Sequence, residues 1–184
     1  MGRHRETFWY ALKVFYNRVE PLRKALKEAR YDTYVPMTVV EKYDDGRLKY
    51  IQKPIVSSLM FVCCTEKFLR EFKNAHNDDF LYYSEPGENT PAPISDREME
   101  IFRKATELAG TGAEYLGSDT WKYCVGDRVR VTEGLYKGLE GYIKRIKHAR
   151  KFIVCIEGVA AVAISSIHPK FLERIEAPGK DGSN

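Results

Sequence analysis

After Thr120 the chain does not return to a helical period. DRVRVTE, GYIKRI, KFIVCIE, VAAVAI and FLERI follow one another as short runs rich in Val, Ile and Phe. So many short strands cannot make a stable open sheet with long exposed edges, and closure into a small barrel is expected. Before residue 110 the pattern is different, because periods of two and of 3.6 alternate. The chain must change architecture somewhere, and GTGAEYLGSDT (110–120), aperiodic and gathering Gly, Ser and Thr, is where it does so. The expected organisation is an α+β domain over 1–109, a flexible linker over 110–122, an all-β barrel over 123–177 and a disordered tail over 178–184.

In the first half, FWYALKV (8–14) has the aromatic and apolar content of a buried strand. Asn17 and Glu20 fit a capping box for a helix from about Arg18 to Arg30, with Val19, Leu22, Ala25, Leu26 and Ala29 on one face. YDTYVPMTVVEKY and RLKYIQK flank Asp44-Asp45-Gly46, a hairpin signal. VSSLMFVCC (56–64) is short and apolar, as a central strand covered on both faces would be. Thr65 opens a second helix, FLYY (80–83) a further strand, and Ser95 with Glu98 a third helix whose inward face is Met99, Phe102, Ala105 and Leu108. The expected order is β-α-β-β-β-α-β-α, one antiparallel sheet flanked by helices.

Composition narrows the functional classes. With 184 residues, 43% of them apolar, the chain can bury a core. It has no apolar run of about 18 residues, and MGRHRETFWYAL lacks the apolar stretch of a signal peptide, so a cytoplasmic chain with no membrane role is expected. Cys63, Cys64, Cys124 and Cys155 show no metal-binding spacing and read as reduced core thiols. No P-loop, H-E-x-x-H or G-x-S-x-G is present; Asp44, Asp45, Asp78 and Asp79 lie in turn sequences without a positioned partner. No enzyme activity, cofactor or metal is expected. Residues 1–117 balance 18 Lys/Arg against 18 Asp/Glu, whereas 118–184 hold 12 against 8. That asymmetry hints at a nucleic-acid or ribonucleoprotein partner.

The segment GDRVRVTEGLYKGLEGYIKRI (126–146) holds four of the chain's 13 glycines. It closely resembles a KOW motif, and WYALKV followed by a helix resembles the start of an NGN domain. In this order the two are similar to NusG-type transcription elongation factors, over almost the whole chain. Gly141 stands at the glycine that marks the KOW motif, with Gly134 and Gly138 in the preceding turn, and the resemblance implies that it lets the second strand bend sharply against the first, where any Cβ would collide.

The resemblance also implies a monomeric, non-enzymatic factor whose N-terminal domain binds the clamp of the RNA polymerase largest subunit through Trp9, Phe15, Val56, Leu59 and Phe61. Each of these residues could equally be core. Arg18, Arg23, Lys24 and Lys27 are either a solvated helix face or a contact to non-template DNA. Tyr136, Lys144, Arg145, Lys147, Arg150 and Lys151 would meet RNA, a ribosomal protein or Rho, or simply solvent. Ser57, Ser58 and Leu59 occupy places where the family usually has Pro, Gly and Tyr, and Glu157 precedes Gly158 where a bulky apolar residue is common. Both departures resemble specialised RfaH-like antiterminators, including those of capsular polysaccharide operons in Bacteroides-type bacteria. The alternative reading is a KOW-containing ribosomal or ribosome-assembly protein that binds RNA.

Overall fold

The structure, a computed structural model, describes residues 6–175 except 16, 85–86, 110–111, 113, 118–121, 147 and 165–166. It divides into two compact units, Met1–Arg103 and Lys104–Asn184. The division falls inside helix α3 (Asp96–Ala109), ahead of the boundary expected at 109. The tail expected over 178–184 lies outside the described residues.

In the first unit, the described residues form a four-stranded antiparallel sheet in the order β2-β5-β1-β6. Its strands are β1 (Phe8–Val14), β2 (Asp32–Tyr34), β5 (Leu59–Cys64) and β6 (Phe80–Tyr82). The FWYALKV and VSSLMFVCC segments supply the two central strands, paired from Phe8↔Cys64 to Lys13↔Leu59. Pleating sends Tyr10, Leu12, Val14, Met60, Val62 and Cys64 to one face, where they pack with Val19, Leu22 and Leu26 of α1 (Val19–Glu28) and Leu69 of α2 (Glu66–Ala75). The opposite face carries Trp9, Ala11, Leu59 and Phe61, and the ring of Phe102 of α3 packs tilted against Phe61, 5.7 Å between ring centres. Both faces are therefore covered.

The strand expected from Tyr31 onward is broken at Val35-Pro36. Pro36 has no N–H for the ladder. Beyond the break, β3 (Met37–Asp44) and β4 (Arg47–Pro54) form a two-stranded ribbon of their own. Asp45 (φ 48°) and Gly46 (φ 73°) both take the left-handed conformation that a two-residue I′ turn requires.

The helix starts divide. Ser95 and Glu98 form the expected reciprocal box: the Ser95 N–H donates to Glu98 Oε2 (3.0 Å) and the Glu98 N–H to Ser95 Oγ (3.2 Å). Thr65 Oγ1 accepts from the Phe68 N–H at 3.2 Å. The Asn17–Glu20 box does not form, because Asn17 sits at φ 59° and Arg18 becomes the N-cap with no side-chain cap. An N-cap side chain needs an extended backbone, which Asn17 lacks.

In the second unit, all five expected strands are present: β8 (Asp127–Val131), β9 (Glu140–Ile146), β10 (Ala149–Ile156), β11 (Ala160–Ile164) and β12 (Leu172–Arg174). A sixth, β7 (Glu114–Gly117), arises inside the expected linker and pairs with β11, giving the order β12-β8-β9-β10-β11-β7 among the described residues. One face of β10 and β11 buries Phe152, Val154, Ile156, Val162 and Ile164. The other, lined by Ile153, Ala161 and Ala163, is covered by Leu116 and Tyr123. Small alanines leave room for that cover.

Two expectations are corrected here. Four residues of the expected linker are strand, and the reading of four reduced cysteines fails at Cys124 and Cys155, which form a disulfide with Cα atoms 6.0 Å apart. The strand forms because β7 pairs with the edge of β11, and Tyr123, next to Cys124, packs on the face of β10 that carries Cys155. Cys63 and Cys64 remain thiols, and burial pushes Cys64 up to about 12. A Cβ at Gly141 would collide as expected, but the obstacle is the following strand, β10, and not the preceding strand, β8. A Cβ there would run into the Ile153 carbonyl oxygen and lie 2.8 Å from Phe152 Cζ. Gly134 (φ 81°) and Gly138 (φ 87°) turn the chain into β9.

Candidate interaction surfaces

The proposed apolar contact lies partly at one end of the N-terminal sheet. Because Lys13 pairs with Leu59, the residues after β1 and the turn before β5 share that end. The Val14 N–H donates to the Ser58 carbonyl (2.7 Å), the Leu59 N–H to the Val56 carbonyl (3.2 Å) and the Phe15 N–H to the Asp79 carbonyl (2.8 Å). Phe15 and Val56 are half-buried there. Trp9, Leu59 and Phe61 are 8%, 2% and 0% exposed, so they cannot present a docking surface in this conformation. They are buried because Ile94 bridges to Trp9 and α3 lies over Phe61. Two of the five expected residues thus stay accessible.

Next to this end, α1 exposes its cations. Arg18 pairs with Asp79 (3.4 Å), Arg23 with Glu20 (3.4 Å) and Lys24 with Glu28 (4.0 Å). Lys27 has no ion-pair partner among the described residues. Exposed pairs of this kind are worth about 0–1 kcal/mol, so they would not keep the cations from an anionic partner.

The basic set of the second unit is not one site. Tyr136 lies in the turn before β9, whereas the cations close the far end of that seven-residue strand, roughly 20 Å away. At that end Arg145 stands opposite Arg150, and Lys144 opposite Lys151. Arg145 and Arg150 are exposed. On the other side of the ribbon, Lys144 donates to the Lys122 carbonyl and lies 5.8 Å from the Tyr123 ring, and Lys151 pairs with Glu114 at 2.7 Å. Lys147 lies outside the described residues.

Several smaller features bear on other chemistry. Asp79 does have positioned partners, His76 Nδ1 at 3.1 Å and Arg18 at 3.4 Å, which tie the turn after α2 to the start of α1. A cavity of about 460 Å³ is lined by Glu6, Tyr31, Thr65, Lys67, Phe68 and Glu71, with the Tyr31 and Phe68 rings stacked at 3.9 Å. Among the described residues, no His/Cys/Asp/Glu group could hold a metal ion and no helix is long and apolar enough to cross a membrane. Sequence reading assigned nothing to the β3–β4 ribbon, where Tyr43 is 72% and Tyr50 64% exposed. The signal was visible in the alternation of EKYDDGRLKYIQK.

Residues 7–103 match the protein family described as "Transcription termination factor nusG". That range coincides with the first unit. No curated protein matches the chain. Among solved structures, the chain is similar to the one described as "Domain interaction in Thermotoga maritima NusG", with 19% identity and a TM-score of 0.43 over 93% of this chain and 98% of that one.

Proposed function

The chain belongs to the NusG family, and from that premise we propose that it is a transcription elongation and antitermination factor that binds RNA polymerase and suppresses pausing. The family match over residues 7–103 carries this reading. Phe15 and Val56, at the open end of the sheet, are the contact with the clamp of the largest subunit, and Arg18, Arg23, Lys24 and Lys27 of α1 lie toward non-template DNA. Binding free energy alone does the work. A protein that prefers the closed clamp depopulates the open, paused state, and a coupling of about 1–3 kcal/mol shifts that balance 5- to 150-fold.

Two finer elements belong to the same proposal. Ser57 and Ser58 before β5 with Leu59 at its start, and Glu157 before Gly158, support a specialised RfaH-like factor serving few operons, such as those for capsular polysaccharide, in the bacterial cytoplasm. The second unit recruits another partner, a ribosomal protein or Rho.

The test is a paused elongation complex assembled from purified polymerase. Added protein should shorten the pause, and Val56→Glu should remove both binding and pause shortening with little change in melting temperature, since an apolar anchor at an interface typically contributes about 1–4 kcal/mol. Failure of the parent chain to bind polymerase would defeat the reading. Co-sedimentation with ribosomes instead would favour the RNA-binding alternative.

A further inference from the structure

We propose that Cys124 and Cys155 are a redox-modification site, a thiol–disulfide pair exchanging with low-molecular-weight disulfides, whose state decides whether residues 122–124 stay on the face of β10 and β11. The topology keeps the two cysteines together in either state. Cys124 stands three residues ahead of Asp127, where β8 begins. Asp127 pairs with Ile143 of β9, which pairs with Phe152 of β10. Cys155 lies on β10 itself, opposite Ala161 of β11. Both ends of the cross-link are thus tied to one sheet, with Cα atoms 6.0 Å apart, inside the range that a disulfide spans. Opening the bond does not scatter the sulfurs.

The surroundings suit a pair that opens and closes better than a permanent cross-link. Both cysteines are half-buried, so a small thiol can reach them. The sheet beneath has its own supports: β10 is paired along both edges, and Phe152, Val154, Ile156, Val162 and Ile164 are buried on its other face. What the bond fastens is short. Residues 122–126 belong to no strand, and Tyr123 packs on Ile153, Ala161 and Ala163 beside Leu116, which β7 holds separately through its pairing with β11. Without the bond, Tyr123 keeps that packing and the Lys144 ammonium 5.8 Å from its ring, and Lys144 still donates to the Lys122 carbonyl. Water competes for a partly exposed lysine, so these contacts hold the segment weakly against its own chain entropy. The other two cysteines are poor competitors for the exchange. Cys64 is 0% exposed, and burial pushes the thiols of Cys63 and Cys64 up, away from the thiolate that attacks.

That the bond is cycled, and not left shut, rests on the cytoplasmic setting of the proposed function, where thiols are kept reduced and disulfides are typically transient. In closing, the thiolate of one cysteine attacks a sulfur of the small disulfide, whose S–S bond breaks and releases one small thiolate. The thiolate of the second cysteine attacks the mixed disulfide and releases the other. Two protein thiols are oxidised, one small disulfide is reduced to two thiols, and the two protons pass to the released sulfurs. Two small thiols reverse the steps. Closed, the pair keeps Tyr123 on β10 and Lys144 occupied; open, it uncovers Ile153, Ala161 and Ala163 and frees Lys144.

The test needs no polymerase. The full chain is equilibrated in glutathione buffers of graded reduced-to-oxidised ratio and alkylated while native, and the labelled cysteines are mapped by mass spectrometry. Cys124 and Cys155 should lose their label together as the oxidised fraction rises, and labelling at Cys63 and Cys64 should not follow the ratio. Trypsin should cut after Lys122 at least about tenfold faster in the reduced chain, because cleavage tracks the open population that the cross-link restrains. Cys155→Ser should be cut at the fast rate in every buffer. Hydrogen exchange should keep the amides of residues 152–156 protected in both states, as expected if only a local segment opens. The inference is overturned if the native pair resists reduction, if the two cysteines label independently, if cleavage after Lys122 is the same in both states, or if reduction unfolds β10. Pause suppression is measured on the elongation complex, so the redox site and the polymerase reading fail separately.

Discussion

The β3–β4 and β9–β10 hairpins share a local design and differ in everything around it. Each sets lysine against lysine across an antiparallel ladder, Lys42↔Lys49 in one and Lys144↔Lys151 in the other. In the second unit the flanking strands and β7 absorb the repulsion: Lys151 meets Glu114, and Lys144 meets Tyr123 and the Lys122 carbonyl. On the β3–β4 ribbon, among the described residues, only Lys49 has an acid, and Lys42 keeps its charge for whatever approaches. A like-charge pair read from sequence is therefore not yet a site. What the neighbours leave unneutralised decides.

The largest expected effect comes from the glycines of the two hairpins. Gly141 faces backbone and an aromatic ring of β10, whereas nothing lies within 4 Å of a Cβ at Gly46. Gly141→Val should cost the second unit more than about 4 kcal/mol, a value reserved for changes that the structure cannot relax around. Gly46→Ala should cost only the left-handed strain of its φ, about 1–2 kcal/mol. Chemical denaturation followed by residue-resolved hydrogen exchange would measure both. Equal costs would erase the distinction between an embedded and a free ribbon.

The cover on the outer face of β10 is the next point to break. Cys124–Cys155 spans 31 residues, and losing such a cross-link is worth about 3–4 kcal/mol on the chain-entropy estimate. Cys124→Ser should lower the stability of the second unit by that order and leave the β3–β4 ribbon untouched. A thiol count in denaturant without reductant should give two in the parent. Four would show that Tyr123 and Cys124 are held on β10 by packing alone.

These contrasts also show where the sequence was informative. Asp45-Gly46 could be read directly, because few residue pairs accept two left-handed positions in succession. Ser95–Glu98 and Asn17–Glu20 look equivalent as text, yet only the first forms a box, since Asn17 is drawn into a left-handed turn after β1. On β5 the apolar residues alternate onto both faces, and alternation cannot say whether the second face is bare. The return of α3 over Phe61 is a tertiary fact, and it moved Trp9, Leu59 and Phe61 from a possible interface into the core. The four-residue β7 was hidden for a related reason. EYLG is too short to show a period, and it becomes a strand only because the edge of β11 is there to pair with.

The smallest effect separates the hairpins by sign. Lys42→Glu replaces repulsion with attraction across from Lys49, a change worth about 0.2–1 kcal/mol in exposed sheets. Asp44 already holds Lys49 at 2.6 Å, so the gain should fall at the low end and fade as salt screens it. The same change at Lys144 faces a Lys151 already paired with Glu114 and gives up the Tyr123 and Lys122 contacts, so it should gain nothing and destabilise slightly. Thermal melts at low and high salt would resolve the two. Lys42→Glu should then fold slightly better than the parent at low salt and match it at high salt. An equal gain at Lys144, or a gain at Lys42 that survives high salt, would mean that the neighbours do not decide what a like-charge pair costs.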